Sequence, residues 1–129
     1  MTYLWVALGG GLGAAARYAI GAWMIPRSSG PFPFHTLLIN VTGSLTIGLL
    51  LAFLAGRPQL DPAWRLFLVV GFLGGYTTFS SYSFELISLA RAGQWTSAAW
   101  YLVASNALSL AACALGIAVA GLLSALRSP

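Results

Sequence analysis

The residues best suited to chemistry in this chain are uncharged hydrogen-bond donors and aromatic rings, spaced so that helices would gather them on single faces. Thr36, Asn40, Ser44 and Gly48 recur every fourth residue, which places them on one helical stripe. Tyr101, Ser105 and Ser109 form a second stripe, with Asn106 beside it. Hydroxyls and amides of this kind can donate to an anion without offering it a permanent counter-charge. The competing readings are structural: Asn40 could tie helices together, and the serines could bond carbonyls of their own helix. Phe79 and Tyr82 lie three apart and share a face. An aromatic ring has a positive edge and a negative face, so edges turned into a pore favour an anion and faces a cation, whereas packing in a core asks for no ion.

A third stripe holds Gly9, Gly13, Arg17 and Gly21. Its glycines let another helix approach closely. Arg17 either snorkels to a headgroup region or lends positive potential to an anion vestibule. The segment from Gly71 to Ser83, read as Gly71-Phe72-Leu73-Gly74-Gly75-Tyr76-Thr77-Thr78-Phe79-Ser80-Ser81-Tyr82-Ser83, is a poor continuous helix, because two glycines are followed by two β-branched threonines. Non-helical backbone at membrane depth is tolerated only where protein buries it or a cavity meets it. Carbonyls freed near Gly74 and Thr77 could coordinate a small hard cation, or the break could be a kink healed by nearby hydroxyls. Glu85 follows the aromatic pair, either tuning ion access at a pore mouth or simply solvated. His35 is expected near the interface, without a role. No Ser/His/Asp set, paired carboxylates or metal-ligand cluster is present, so the chain is not expected to be an enzyme.

Four apolar stretches of the length needed to cross a bilayer must position these residues. They run from about Tyr3 to Ile25, Phe34 to Ala55, Ala63 to Leu89 and Thr96 to Leu126. Pro26-Arg27-Ser28-Ser29-Gly30-Pro31, Gly56-Arg57-Pro58, Asp61-Pro62 and Arg91-Ala92-Gly93-Gln94 punctuate them, as Pro, Gly and charges do at helix ends. Residues 1–129 therefore form a single four-helix transmembrane domain, all-α, with the third helix broken near Gly74–Thr78. Short connections make neighbouring helices antiparallel and put both termini on one side.

Composition agrees. Only 6% of the residues are charged, 59% are hydrophobic, and mean hydropathy is +0.86; a soluble domain carries roughly 25% charged residues. The net charge of +4 comes from six arginines scattered singly, without a lysine, so the clustered basic face that nucleic acid requires is missing. Cys113 is alone, which allows no internal disulfide. No positive charge precedes the first apolar run, so a cleaved signal peptide is not expected. Asn40-Val41-Thr42 matches a glycosylation pattern that burial in a membrane helix would make meaningless. The terminal side would hold Arg57, Arg65 and Arg127, and the opposite side Arg27 and Arg91. That near balance leaves orientation almost unbiased: either the chain inserts both ways and pairs as an antiparallel homodimer, or other signals fix one orientation.

Three motifs carry a family resemblance. Gly10-Gly11-Leu12-Gly13-Ala14-Ala15-Ala16-Arg17-Tyr18, Thr36-Leu37-Leu38-Ile39-Asn40-Val41-Thr42-Gly43-Ser44 and, above all, Gly71-Phe72-Leu73-Gly74-Gly75-Tyr76-Thr77-Thr78-Phe79-Ser80 resemble the Fluc (CrcB) fluoride channels over nearly the whole chain. The resemblance implies a dual-topology homodimer with two antiparallel pores, exporting fluoride passively across a microbial, bacterial plasma membrane. It also implies a sodium ion (Na+) at the dimer centre, held by the Gly74 and Thr77 carbonyls. By motif position, Asn40 becomes a pore donor and Phe79 the first of two ring-edge residues. Tyr101, Ser105 and Ser109 become a hydroxyl track, and Arg17 faces a vestibule; Thr36 is counted with the pore and Glu85 with its mouth. The second ring-edge residue, usually Phe, is Tyr82 here, whose phenol hydroxyl needs a partner.

Two other functions compete. A small antiparallel multidrug exporter coupled to protons would share size and charge balance, but it needs an intramembrane carboxylate in the first span, and none is there. A non-conducting assembly subunit would leave the weak third helix and the polar stripes without a purpose.

Overall fold

Residues 1–55, 57 and 61–126 are described by the computed structural model. Helix α1 spans Thr2–Met24 and ends in a 3-10 turn, Ile25–Arg27; α2 spans Phe34–Ala55. A short α3, Pro62–Arg65, runs into a π-helical segment, Leu66–Leu73, and a three-residue helix α4, Gly74–Tyr76. After Thr77 and Thr78 come α5, Phe79–Arg91, and α6, Trp95–Ala125. Among the described residues the protein is all-helical, and four helical units match the four apolar stretches within a few residues. Gly56, Pro58 and Arg127, which entered the punctuation and the charge balance, lie outside the described residues.

The helix boundaries have local causes. Asp61 caps α3, its carboxylate accepting from the Ala63 amide at 2.9 Å, and Pro62 occupies a first-turn position where its missing N–H costs nothing. Thr78 caps α5 by accepting from the Ser81 amide at 3.1 Å. Gly93 turns the chain from α5 to α6 at φ +76°, a conformation that side chains disfavour. The π segment was not foreseen, because Leu66–Leu73 is an unbroken apolar run whose pattern cannot separate an i→i+5 helix from an ordinary one.

Two close pairings build the protein. Helix α1 lies against the π segment and α4, and α2 lies along α6. Glycine makes both possible: a Cβ on Gly9 would collide with the Phe67 carbonyl, one on Gly13 with the Phe72 carbonyl, and one on Gly75 with the Gly10 carbonyl. In the second pair, Gly48 meets the Cys113 carbonyl and Gly116 the Leu45 carbonyl in the same way. Helices that approach to backbone contact bury little side-chain volume, so the apolar side chains point outward. Leu12, Trp23, Phe84, Trp100, Leu110 and Leu122 are all exposed. Water would penalise such a surface; acyl chains do not. α2 and α6, each with a mean hydropathy of 2.1 over its best stretch, are long and apolar enough to cross a membrane individually. At 1.5 Å per residue, α1 reaches roughly 35 Å, enough to cross a bilayer's hydrocarbon core of about 30 Å.

A polar groove where the helix pairs meet

The seam between the two pairs is held by polar groups, and Asn40 is its centre. Thr77 and Thr78 adopt extended backbone, with ψ of 159° and 120°, so the helical ladder stops between Tyr76 and Phe79. The Asn40 amide bridges the gap. Its Nδ2 donates to the Thr78 carbonyl at 2.9 Å, and its Oδ1 accepts from the Thr78 amide at 2.9 Å. One side chain thus satisfies both main-chain groups of a residue outside regular structure, as a buried extended peptide demands. The Thr78 amide is the group that would have closed a helical turn on Gly74; it bonds Asn40 instead. From α1, Arg17 Nη1 donates to the Thr77 carbonyl at 3.2 Å. The Thr77 hydroxyl returns to the Leu73 carbonyl at 2.9 Å.

Beside this seam is a groove of about 290 Å³ lined by Asn40, Thr78, Phe79, Tyr82, Ser105 and Ser109, together with Thr77, Asn106 and Leu110. Asn40, Phe79 and Ser105 come from three different helices and line this one groove. The hydroxyl oxygens of Ser105 and Ser109 are buried and have no hydrogen-bond partner. That distinguishes them from Ser83, Ser88 and Ser124, which donate to the carbonyls of Phe79, Phe84 and Ala120 four residues earlier. A serine in a helix normally takes that local bond, and leaving a buried hydroxyl unpaired costs about 1–3 kcal/mol. These two hydroxyls lie one helical turn apart in the same groove.

The ring pair divides in a way that spacing did not reveal. Phe79 and Tyr82 have centroids 5.5 Å apart and planes inclined by 48°, yet Phe79 is 76% exposed and Tyr82 only 5%. The Tyr82 hydroxyl accepts from Asn106 Nδ2 at 2.9 Å, which meets the need created by a phenol at this position. Asn106, named in the sequence only as a neighbour of the serine stripe, is therefore part of the groove lining.

The hydroxyl stripe on α6 also divides. Tyr101 is fully buried and is absent from the groove lining. Its hydroxyl donates to Glu85 Oε2 at 2.6 Å, and Thr36 Oγ1 donates to Glu85 Oε1 at 2.8 Å. Thr36 and Tyr101 thus attend a carboxylate, while Ser105 and Ser109 face the groove. The Glu85 side chain is 21% exposed, and both its oxygens accept hydrogen bonds. It joins Arg17, His35, Thr36 and Ser81 on a second cavity of about 500 Å³, and Thr78 lines both spaces. His35, expected to have no role, places Nε2 3.4 Å from Glu85 Oε1. A lone histidine one residue before a buried threonine gave no signal in sequence; only the packing of α2 against α5 brings it to the carboxylate. Gly74 is exposed, with nothing within 4 Å of where its Cβ would be.

Comparison with known proteins assigns the chain to a family. The family described as CrcB-like protein, Camphor Resistance (CrcB), matches residues 4–117. A protein of Acidobacterium capsulatum named "Fluoride-specific ion channel FluC" is 49% identical over 119 residues, covering 92% of this chain and 95% of its own. Proteins with the same name from Rhizobium meliloti and Roseiflexus are 46% and 41% identical, covering 90% and 95% of this chain and 93% and 99% of theirs. With the groove, the glycine seams and these matches running through the same helices, the chain belongs to the CrcB family.

Proposed function

We propose that the chain is a fluoride-selective channel, which lowers cytoplasmic fluoride by letting the ion leave a bacterium passively across its plasma membrane, through a multi-pass fold. The relatives' names supply the ion. The observation that carries the reading in this chain is the pair of buried, unpartnered hydroxyls of Ser105 and Ser109, in one groove with Asn40 and the Phe79–Tyr82 rings. Fluoride is small and holds water tightly, so a path must replace its hydration with close donors that release it again. Serine hydroxyls and ring edges do this without a permanent counter-charge. Asn40 contributes by position: its amide holds the Thr78 peptide and so shapes the groove's wall.

The groove opens on the protein surface beside exposed Phe79, and a second, oppositely oriented copy would close it, giving two antiparallel pores per homodimer. The near balance of arginines supports dual insertion. A sodium ion at the centre of that dimer fits the residues present. The Gly74 carbonyl loses its usual helical donor, because the Thr78 amide bonds Asn40, and Gly74 faces open space. The Thr77 carbonyl accepts one bond from Arg17 and retains a second lone pair. Sodium there would supply a fixed positive charge joining the two broken helices, with oxygen ligands of the type a hard cation prefers.

The test is anion efflux from liposomes containing the purified protein, read with ion-selective electrodes. Fluoride should leave and chloride should stay. Chloride passing as readily as fluoride would refute the selectivity, and Tyr82→Ile, which removes the ring, should abolish fluoride efflux.

A further inference from the structure

We infer that Asn106 is a positioning residue that makes the Tyr82 phenol a hydroxyl donor to the groove, so that an anion there meets an O–H as well as a ring edge. The inference rests on the channel reading above. Asn106 stands on α6, one residue beyond Ser105, and is exposed; Tyr82, on α5, is buried. Both line the groove with Ser105 and Ser109.

The direction of the hydrogen bond between Asn106 and Tyr82 is fixed by a third residue. Asn106 Nδ2 lies 2.7 Å from the Leu102 carbonyl and 2.9 Å from the Tyr82 hydroxyl. A carbonyl only accepts, so the amide atom that faces Leu102 is the nitrogen and not Oδ1. That same nitrogen faces Tyr82. One of its hydrogens goes to each partner, and the phenol oxygen is the acceptor. Had the amide been turned over, Oδ1 would have taken the phenol's hydrogen and left it nothing to give. As it stands, the bond from Asn106 is the one hydrogen bond Tyr82 makes among the described residues, and its own hydrogen is not spent on protein.

Packing holds the ring that carries this hydroxyl. The Tyr82 centroid lies 5.5 Å from that of Phe79 and 5.2 Å from that of Tyr101, with planes inclined by 48° and 58°. Turning the ring about its long axis leaves the oxygen in place, and Asn106 holds that oxygen from α6. A hydroxyl that accepts one bond is polarised into a stronger donor. The phenol then joins Ser105 and Ser109, whose buried hydroxyls have no partner, as a third uncharged donor on the same groove. An amide that served only to satisfy a buried phenol would do so better through Oδ1, because that would take up the hydrogen as well.

Fluoride current across planar bilayers containing the full-length protein, measured against fluoride concentration, tests this on wild type, Tyr82→Phe, Asn106→Ala and the double variant. Tyr82→Phe removes the hydroxyl and keeps the ring. Loss of one hydrogen bond to a charged acceptor should raise the half-saturating fluoride concentration by about tenfold. Asn106→Ala should raise it by about threefold in the presence of Tyr82 and leave it unmoved in Tyr82→Phe, where no hydroxyl remains to be oriented. An equal rise in both backgrounds overturns the role of Asn106, as does a fall in maximal current with no shift in half-saturation, since a loosened groove would produce either. An unshifted Tyr82→Phe overturns it too, and that variant decides alone if Asn106→Ala does not assemble. Absence of fluoride current in the wild type would instead sink the channel reading, and this inference with it.

Discussion

The glycine seams and the polar groove lie side by side and solve opposite problems. Along α1, backbone meets backbone where Gly9 and Gly13 face the Phe67 and Phe72 carbonyls. In the groove, side chains from α2, α5 and α6 leave about 290 Å³ open, and two hydroxyls stand without partners. The first region holds the helices close in a solvent that gives no hydrophobic drive between them. The second keeps a polar space inside that tight frame. On the channel reading proposed above, stability and conduction then fall to different residues, which mutation can separate.

The largest effect is expected at the seam. Gly13→Ala would push a methyl into the Phe72 carbonyl and the Tyr76 amide, and backbone cannot move aside as a flexible side chain does. Overpacking of this kind costs about 1–3 kcal/mol or more, exceeding the roughly 1 kcal/mol that alanine gains over glycine in a helix. The variant should yield little folded protein on size-exclusion chromatography. Gly11→Ala, where nothing lies within 4 Å, should purify as wild type. Equal yields would mean that α1 does not lie against the π segment.

Next comes the bridge between the regions. Asn40→Ala strips both partners from the Thr78 peptide, and each buried group left unpaired costs about 1–3 kcal/mol. Folded protein should be recoverable, because the glycine contacts remain, while fluoride efflux should fall by at least tenfold. Thermal melting in detergent should shift downward in the same sample. Wild-type efflux with a lowered melting temperature would make Asn40 a structural strut only.

Much of this division was legible in sequence, since fourfold spacing reports which residues share a helical face. It found the α1 glycines, put Asn40 on a polar stripe of the second span and grouped Ser105 with Ser109, but the pairing of Asn40 with Thr78 came only with the structure. It could not tell what each face meets. Thr36 and Tyr101 satisfy the same periodicity as the groove residues, yet they end on Glu85, because α5 restarts after two extended residues and turns that carboxylate toward them. The proximity of His35 to Glu85 was not foreseen for the same reason: a contact between α2 and α5 depends on tertiary geometry, and no local pattern encodes it. The π segment escaped because a uniformly apolar run has no period to read.

The smallest effect, and the sharpest discrimination, is expected at Ser109. Its hydroxyl oxygen is buried without a partner, so Ser109→Ala removes an unpaid desolvation and replaces it with a methyl of similar size. Melting temperature should stay unchanged or rise slightly, which is the reverse of what losing a satisfied hydrogen bond does. If the hydroxyl serves a passing anion, efflux should nevertheless fall, by about fivefold for one net hydrogen bond of roughly 1 kcal/mol. Ser88→Ala gives the contrast, since that hydroxyl already donates to the Phe84 carbonyl at 2.7 Å and lies outside the groove; its efflux should match wild type. A Ser109→Ala channel that is as stable and as fast as wild type would leave the groove's unpartnered donors without an ion to serve, and the tight seams would then enclose nothing more than space.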